Sequence, residues 1–89
     1  MADERFWNIK MYVYLIRSEL NPDRKYVCLT ADIERRLSEH NDGKCSSTYK
    51  FRPWRCEVKI WFDDPEKAEH FESYLKSGSG RAFAKRHLW

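Results

Sequence analysis

The segment "KYVCLTADIERRLSEH" at residues 25–40 is typical of a strand that passes directly into a helix. β-branched and aromatic residues dominate its first six positions, and Thr30 is a suitable helix N-cap because its hydroxyl can accept a backbone N–H. Arg36 and His40 lie one helical turn apart, so both side chains can point at one place. The turn therefore carries a phenol at Tyr26, a guanidinium and an imidazole.

Two further strands are predicted around this segment. "KMYVYLIRS" at residues 10–18 is rich in β-branched and aromatic residues, and the Asn-Pro-Asp turn signal separates it from the strand at 24–30. "WRCEVKIWF" at 54–62 alternates apolar and polar residues and is predicted as the third strand. A polar, basic loop at 43–53 precedes it.

Two helices are predicted after the third strand. The first covers about residues 63–77, with Asp64 as N-cap and Pro65 at the first helical position. "GSG" at 78–80 is expected to break the chain before a terminal helix at 81–88. The order β-β-α-β-α-α predicts an α+β fold, a small three-stranded sheet flanked by helices.

Composition and length predict one compact domain over residues 1–89, with 42% hydrophobic and 16% aromatic content. No run of about 18 apolar residues occurs and the N-terminus mixes charges with aromatics, so a cytoplasmic protein without a membrane segment is expected. The 3 cysteines are odd in number and lack C-x-x-C spacing, which favours reduced thiols. A zinc site made by the three cysteines and His40 is a minor alternative.

Positive charge is unevenly distributed, although the net charge is only +3. Residues 44–59 hold five basic side chains against one acidic, and residues 73–89 hold four against none. Basic residues interleaved with Tyr49, Phe51 and Trp54 suit phosphate contacts as well as an ordinary solvated surface. The predicted nucleic-acid-binding residues are Lys44, Lys50, Arg52, Arg55, Lys76, Arg81 and Lys85.

Five short motifs occur in a characteristic order. They are Tyr12-Val13-Tyr14, Tyr26-Val27-Cys28, "LTADIERRLSEHNDGK" at 29–44, "STYKFRPW" at 47–54 and "ESYLKSGSGRAF" at 72–83. Each is a weak signal alone, but together they resemble the GIY-YIG nuclease superfamily from about residue 11 to 88. The chain is most similar to small standalone bacterial members and to the nuclease domain of the excinucleases.

The resemblance implies a metal-dependent endonuclease that hydrolyses a DNA phosphodiester. By matching motif positions, it assigns catalytic roles to Tyr14, Tyr26, Arg36 and His40, and metal binding to Glu72. Mg²⁺ or Mn²⁺ is the implied cofactor and DNA the implied partner, with no small-molecule cofactor. The spacing of Glu72 from Ala68 and Leu75 independently places this carboxylate beside an apolar helix stripe, where it needs a partner.

Each implied role has a chemical basis. A phenol with a pKa of about 10 is a poor base at neutral pH unless a nearby cation stabilises the phenolate, and otherwise it only orients water. The Arg36 guanidinium offers a fixed fork for phosphate oxygens. Glu72 suits a hard cation that keeps most of its shell as water and phosphate oxygen, and His40 can orient or carry a proton.

The chain departs from the family pattern at several positions. Cys28 stands where the second motif usually ends in glycine, and Tyr12 stands at the glycine of the first motif. No asparagine follows the glutamate, so Ser77 or Ser79 is left to take that role, or the role is absent. A catalytically weakened nucleic-acid-binding module and a protein-interaction domain are therefore kept as alternatives.

Overall fold

The computed structural model of the chain describes residues 10–89. In that range the chain forms three strands, three α-helices and one short 3-10 helix, in the predicted order. They are β1 (Met11–Ser18), β2 (Lys25–Thr30), α1 (Ile33–Asn41), the 3-10 helix (Tyr49–Phe51), β3 (Trp54–Phe62), α2 (Pro65–Leu75) and α3 (Gly78–His87). None of these helices is long and apolar enough to cross a bilayer.

The sheet is antiparallel and has β1 at its centre, in the order β2-β1-β3. Helices cover both of its faces, which explains why β1 is a continuous apolar run instead of an alternating one. Val13, Tyr14, Leu15 and Ile16 are accordingly all inaccessible to solvent. The α+β fold and the element order predicted from the sequence are both confirmed.

The two faces of the sheet carry separate cores. Helices α2 and α3 cover one face, where Ala68, Leu75 and Ala84 pack with Val13 and Leu15. Helix α1 and the 3-10 helix cover the other face, where Ile33, Leu37 and Phe51 pack against Tyr14, Ile16 and Trp54. Because β2 pairs only with β1 among the strands of residues 10–89, side chains from the helices of both faces can meet beside its outer edge.

The N-cap of α1 is Asp32, so the prediction of Thr30 was wrong. The Asp32 carboxylate accepts the backbone N–H of Arg35 at 3.1 Å. Thr30 instead accepts the backbone N–H of Asp32 at 3.1 Å and so shapes the turn that precedes the helix. At the start of α2, the predicted cap at Asp64 and the proline at the first turn are confirmed.

Helix α3 begins at Gly78, three residues earlier than predicted. Ser77 caps it by accepting the backbone N–H of Gly80 at 3.2 Å, so the GSG sequence forms the first helical turn. A Cβ at Gly80 would collide with the backbone carbonyl of Tyr74. Only glycine therefore allows α3 to start this close to the end of α2.

The polar loop before β3 contains a 3-10 helix that the sequence pattern did not predict. Trp54 anchors this loop, since it is only 2% exposed and its indole N–H donates to the carbonyl of Thr48 at 2.8 Å. The Asn41 side chain bonds both backbone groups of Trp54, at 2.6 and 3.0 Å. Trp54 is thus a core residue and does not belong to a phosphate-binding surface, which was one of the interpretations of this basic and aromatic segment.

Candidate active site

The pairing register of β1 and β2 places both motif tyrosines on one face of the sheet. Tyr14 lies directly opposite Cys28, and Ile16 lies opposite Tyr26. Residues directly opposite each other project to the same face, as do residues two apart on one strand. Tyr14 and Tyr26 are therefore diagonal neighbours, and both line a cavity of about 290 Å³ at the edge of β2.

Side chains from helices on both faces of the sheet complete this cavity. Arg36 and His40 reach it from α1, on the same face as the tyrosines. Glu72 reaches it from α2, which packs on the opposite face, by passing the edge of β2. The structure thus brings the five side chains with implied catalytic or metal-binding roles to one cavity, called here the active-site cavity.

A chain of hydrogen bonds runs from Tyr14 through His40 to Thr48. The Tyr14 hydroxyl lies 3.1 Å from His40 Nε2, and His40 Nδ1 lies 2.9 Å from the Thr48 hydroxyl. Thr48 can donate its own proton to the carbonyl of Cys45, at 3.5 Å. When the Thr48 hydroxyl donates in this direction, its oxygen can accept a hydrogen bond from Nδ1–H of His40. The other ring nitrogen, Nε2, is then unprotonated and accepts from the Tyr14 hydroxyl. The arrangement therefore favours the tautomer in which His40 can take a proton from Tyr14.

The environment keeps His40 neutral. Burial lowers its pKa below the usual 6.5, and the Arg36 guanidinium lowers it further, against a smaller opposing effect of Glu39. The ring is 3% exposed. A neutral imidazole at physiological pH has an unprotonated nitrogen, which the Tyr14 hydroxyl requires as its acceptor.

This low pKa predicts a pH-dependent stability. As pH falls through 6.5, the unfolded chain binds a proton at residue 40 before the folded protein does, so the free energy of unfolding should decrease. For a single titrating group the slope is at most about 1.4 kcal/mol per pH unit. Urea titrations between about pH 5 and 7.5 measure it.

His40→Gln should remove this slope, and His70→Gln, at an exposed position of α2, should keep it. The arginine partners of Glu39 and Glu57 lower the pKa values of these carboxyl groups below 4.5. Their main effect on the free energy of unfolding therefore lies at a lower pH than the titrations cover. Equal slopes in the wild type and His40→Gln would show that His40 is not held neutral by the fold.

Tyr14 is fully buried in the protein and keeps its proton. Burial raises its pKa well above the usual 10.0, and the neighbouring Cys28 raises it further, while Arg36 lowers it. Burial likewise raises the pKa of the Cys28 thiol above its usual value. Cys28 is therefore a neutral side chain that packs beside the Tyr14 hydroxyl.

Arg36 is oriented by an acidic neighbour on the same helix. Its Nη1 lies 3.0 Å from Glu39 Oε1, and this contact raises the pKa of Arg36 and lowers that of Glu39. The Arg36 side chain remains 40% exposed. The guanidinium can therefore contact a phosphate while the Glu39 carboxylate holds its position.

Tyr26 lies at the mouth of the cavity. Its ring packs at a tilt against Trp54 with a centroid separation of 5.4 Å, and its hydroxyl donates to the carbonyl of Ser47 at 3.3 Å. The residue is 37% exposed. Tyr26 is thus better placed than the buried Tyr14 to meet an incoming ligand in this arrangement.

Glu72 is a carboxylate that lines the active-site cavity. Its side chain is 20% exposed, and its partner is the ammonium of Lys76 at 3.4 Å on the next helical turn. Mg²⁺ is commonly held by one or two carboxylates, with water and phosphate oxygens as the other ligands. A single carboxylate facing a cavity of about 290 Å³ fits this coordination.

The minor alternative of a zinc site is not supported. Across residues 10–89 no three His, Cys, Asp or Glu side chains are grouped closely enough to hold a metal ion. The three cysteines and His40 all lie in that range, so they do not form the cluster that this alternative requires. The cysteines are free thiols, as expected from their number and spacing.

The basic residues predicted to bind nucleic acid occupy separate parts of the surface. Lys44, Lys50 and Arg52 belong to the loop that follows α1, and the Arg52 guanidinium lies against Gly43, whose φ of +79° ends that helix region. Arg55 pairs in register with Arg17 and lies on the opposite face from Tyr14. Lys76, Arg81 and Lys85 line a second, larger cavity beside β2.

Arg55, like Lys76, has an acidic partner. Its Nη2 lies 2.9 Å from Glu57, which also accepts from Arg17 at 3.0 Å. The role of Ser77 is likewise structural, because its hydroxyl caps α3 and donates to the carbonyl of Tyr74. Neither Ser77 nor Ser79 lines the active-site cavity, so neither supplies the side chain that the missing asparagine would provide there.

Glu39 and Thr48 were not identified as residues of the site from the sequence, and Lys76 was predicted as a nucleic-acid contact but not as the partner of Glu72. Glu39 follows Arg36 by three positions and Lys76 follows Glu72 by four, and this spacing alone predicts ion pairs on one helix face. Thr48 lies in an irregular loop and carries no periodic signal. Its contact with His40 depends on how the loop folds back over α1.

Comparisons with known proteins agree with this geometry. The family model described as the GIY-YIG catalytic domain matches residues 10–86. The "Structure-specific endonuclease subunit SLX1" of Scheffersomyces stipitis is 41% identical over 61 residues, which cover 62% of this chain and 18% of the relative. The chain thus matches less than a fifth of that relative's length. With most of its length matched by the family model, the chain belongs to the GIY-YIG nuclease family.

Proposed function

We propose that this protein is a divalent-metal-dependent DNA endonuclease that cuts one phosphodiester at the edge of β2. The observation that carries the proposal is the convergence of two phenols, a guanidinium, a neutral imidazole and a carboxylate on one cavity of about 290 Å³. Family membership supports nuclease chemistry independently. Glu72, which is the one acidic side chain lining this cavity among residues 10–89, supports the metal requirement.

The hydrogen-bond chain provides a route for the proton of the attacking water. Tyr14 gives its proton to His40 Nε2, and the resulting phenolate takes a proton from water as that oxygen attacks phosphorus. The ester bond between phosphorus and the departing DNA oxygen breaks, and that oxygen takes up a proton from solvent. His40 then carries protons on both nitrogens, and Nδ1–H still donates to Thr48. The pKa of Tyr14 is high although Arg36 already lowers it. A divalent cation held at Glu72 would supply further positive charge to stabilise the phenolate.

The remaining charged groups act on the phosphate. Arg36 stabilises the negative charge that builds on the non-bridging oxygens, and its ion pair with Glu39 holds it in place before the reaction. Glu72 would hold Mg²⁺ or Mn²⁺, which supplies charge neutralisation at the phosphate and a more acidic water. Tyr26, at the cavity mouth, orients the phosphate or water through its hydroxyl.

Branched DNA is the proposed substrate class. The relative's name describes a structure-specific endonuclease subunit, and in this chain a second cavity lined by basic residues lies beside the active-site cavity. We expect metal-dependent nicking of branched DNA in preference to linear duplex, measured on labelled flap, junction, duplex and single-stranded substrates with Mg²⁺, Mn²⁺ or EDTA. Failure to cut any of these substrates with either metal would overturn the proposal.

A catalytically weakened DNA-binding module is the second candidate, and one observation favours it. Cys28 lies directly opposite Tyr14 and borders the same cavity, while Tyr14 itself is inaccessible to solvent. Glycine at this position would remove the side chain that packs beside the phenol. Cys28 therefore limits access to Tyr14, and its replacement distinguishes the two candidates.

We expect Cys28→Gly to increase the single-turnover cleavage rate severalfold, because it opens a path to Tyr14 and removes a group that raises the pKa of that phenol. The measurement is single-turnover cleavage with saturating protein. Cys56→Gly, which removes a partly buried thiol from β3, is the matched control and should not increase the rate. Equal rates in the wild type and Cys28→Gly would show that Cys28 only fills space.

A further inference from the structure

A second cavity of about 610 Å³ adjoins the active-site cavity along β2. Among the described residues, four cationic side chains line it, from β2, α2 and α3, and no acidic side chain does: Lys25, Lys76, Arg81 and Lys85. Tyr26, Val27 and Lys76 line both cavities. We call this second cavity the basic groove.

The floor of the basic groove is apolar, unlike its rim. Val27, Leu75 and Ala84 contribute aliphatic surface, and the Trp89 indole lies at one end. The Lys25 ammonium lies 5.1 Å from the centroid of that indole, so a cation and an aromatic ring are held together there. The groove thus matches a ligand that combines negative charges with flat, weakly polar groups.

A single nucleic-acid strand has this combination. Its phosphates suit a row of lysine and arginine side chains, and its unpaired bases can cover apolar or aromatic surface. A duplex encloses its bases and would present mainly phosphates and sugars, which leaves the apolar floor unmatched. The shared walls at Tyr26 and Lys76 mean that a strand with one phosphate in the active-site cavity continues directly into the groove.

We propose that the basic groove binds a single-stranded segment of DNA continuous with the strand that is cut. The proposal rests on the proposed function, because it takes the active-site cavity as the place of cleavage. It adds the path of the substrate: the strand passes the edge of β2 at Lys76 and lies against α3. The unpaired arm of a branched substrate would then be recognised by the catalytic domain itself.

The test compares DNA duplexes with and without a single-stranded extension of about six nucleotides, at either end polarity. Binding is measured in EDTA by fluorescence anisotropy, so that no cleavage is needed. We expect the wild type to bind one extended duplex about tenfold more tightly than the blunt duplex. The double variant Arg81→Gln/Lys85→Gln should bind the extended and blunt duplexes equally well. On the extended duplex, the steepness of its plot of log binding constant against log salt concentration should decrease by about 1.4, which is about 0.7 for each lost phosphate contact.

Lys67→Gln/Arg86→Gln is the matched control, since it removes the same charge from exposed positions that line neither cavity. It should retain the preference for the extended duplex. The groove assignment is wrong if the wild type shows no such preference, or if both double variants lose affinity equally on blunt and extended duplexes. A protein that cuts DNA but shows no preference would overturn the groove alone. Groove-dependent binding without any cleavage would overturn the nuclease proposal alone.

Discussion

Glu72→Gln should abolish metal-dependent cleavage while leaving DNA binding in place. The amide keeps the shape of the side chain but removes the charge that would hold a divalent cation beside the phosphate. We expect a loss of about 100- to 1,000-fold in the single-turnover rate. The same variant should lose Mn²⁺ binding in a direct titration of the protein, a readout that does not depend on activity.

Glu69→Gln is the matched control for this variant. It removes a carboxylate from an exposed position on the same helix that does not line the active-site cavity. Its cleavage rate and Mn²⁺ affinity should equal those of the wild type. Undiminished metal-dependent cleavage by Glu72→Gln would show that the cation, if one is required, is held elsewhere.

Tyr14→Phe should reduce cleavage by about 100- to 10,000-fold, because it removes the hydroxyl that would pass a proton to His40. The phenyl ring still fills the core position. The loss of the hydroxyl leaves His40 Nε2 without its partner, which should cost about 1–3 kcal/mol of unfolding free energy. Single-turnover cleavage and urea unfolding of the same preparations separate the two effects.

Tyr12→Phe tests whether any phenol of β1 would give this result. Tyr12 lies two residues away on the same strand and lines neither cavity. Its cleavage rate should stay within about twofold of the wild type. A Tyr14→Phe rate close to wild type would show that the Tyr14–His40 hydrogen bond is structural and that Tyr26 or the metal activates the water.

Much of the fold could be predicted because local patterns determine it. Segments rich in β-branched and aromatic residues predicted the three strands, and Asp64 followed by Pro65 predicted the start of α2. The errors occurred where a choice between neighbouring residues depends on geometry. Asp32 caps α1 because its carboxylate, and not the Thr30 hydroxyl, reaches the first turn of the helix.

The site was predicted less completely, because its members meet through tertiary contacts. The positions of Arg36 and His40 on one stripe followed from helical spacing. The meeting of Tyr14 with Cys28 depends on strand register, which the sequence pattern left open. The basic neighbours of Trp54 left its burial open, because the contacts of Asn41 and Thr48 that hold it in the core form only in the folded loop.

A crystal structure of Tyr14→Phe with a branched DNA and Mn²⁺ would test the central claim most directly, that the two faces of the sheet contribute to one catalytic centre beside β2. The variant should preserve the uncut strand long enough for crystallisation. The account predicts anomalous density for Mn²⁺ at the Glu72 carboxylate, with a bound phosphate between that ion and Arg36. Mn²⁺ and the DNA strand at any place that excludes Glu72 and Arg36 would contradict it.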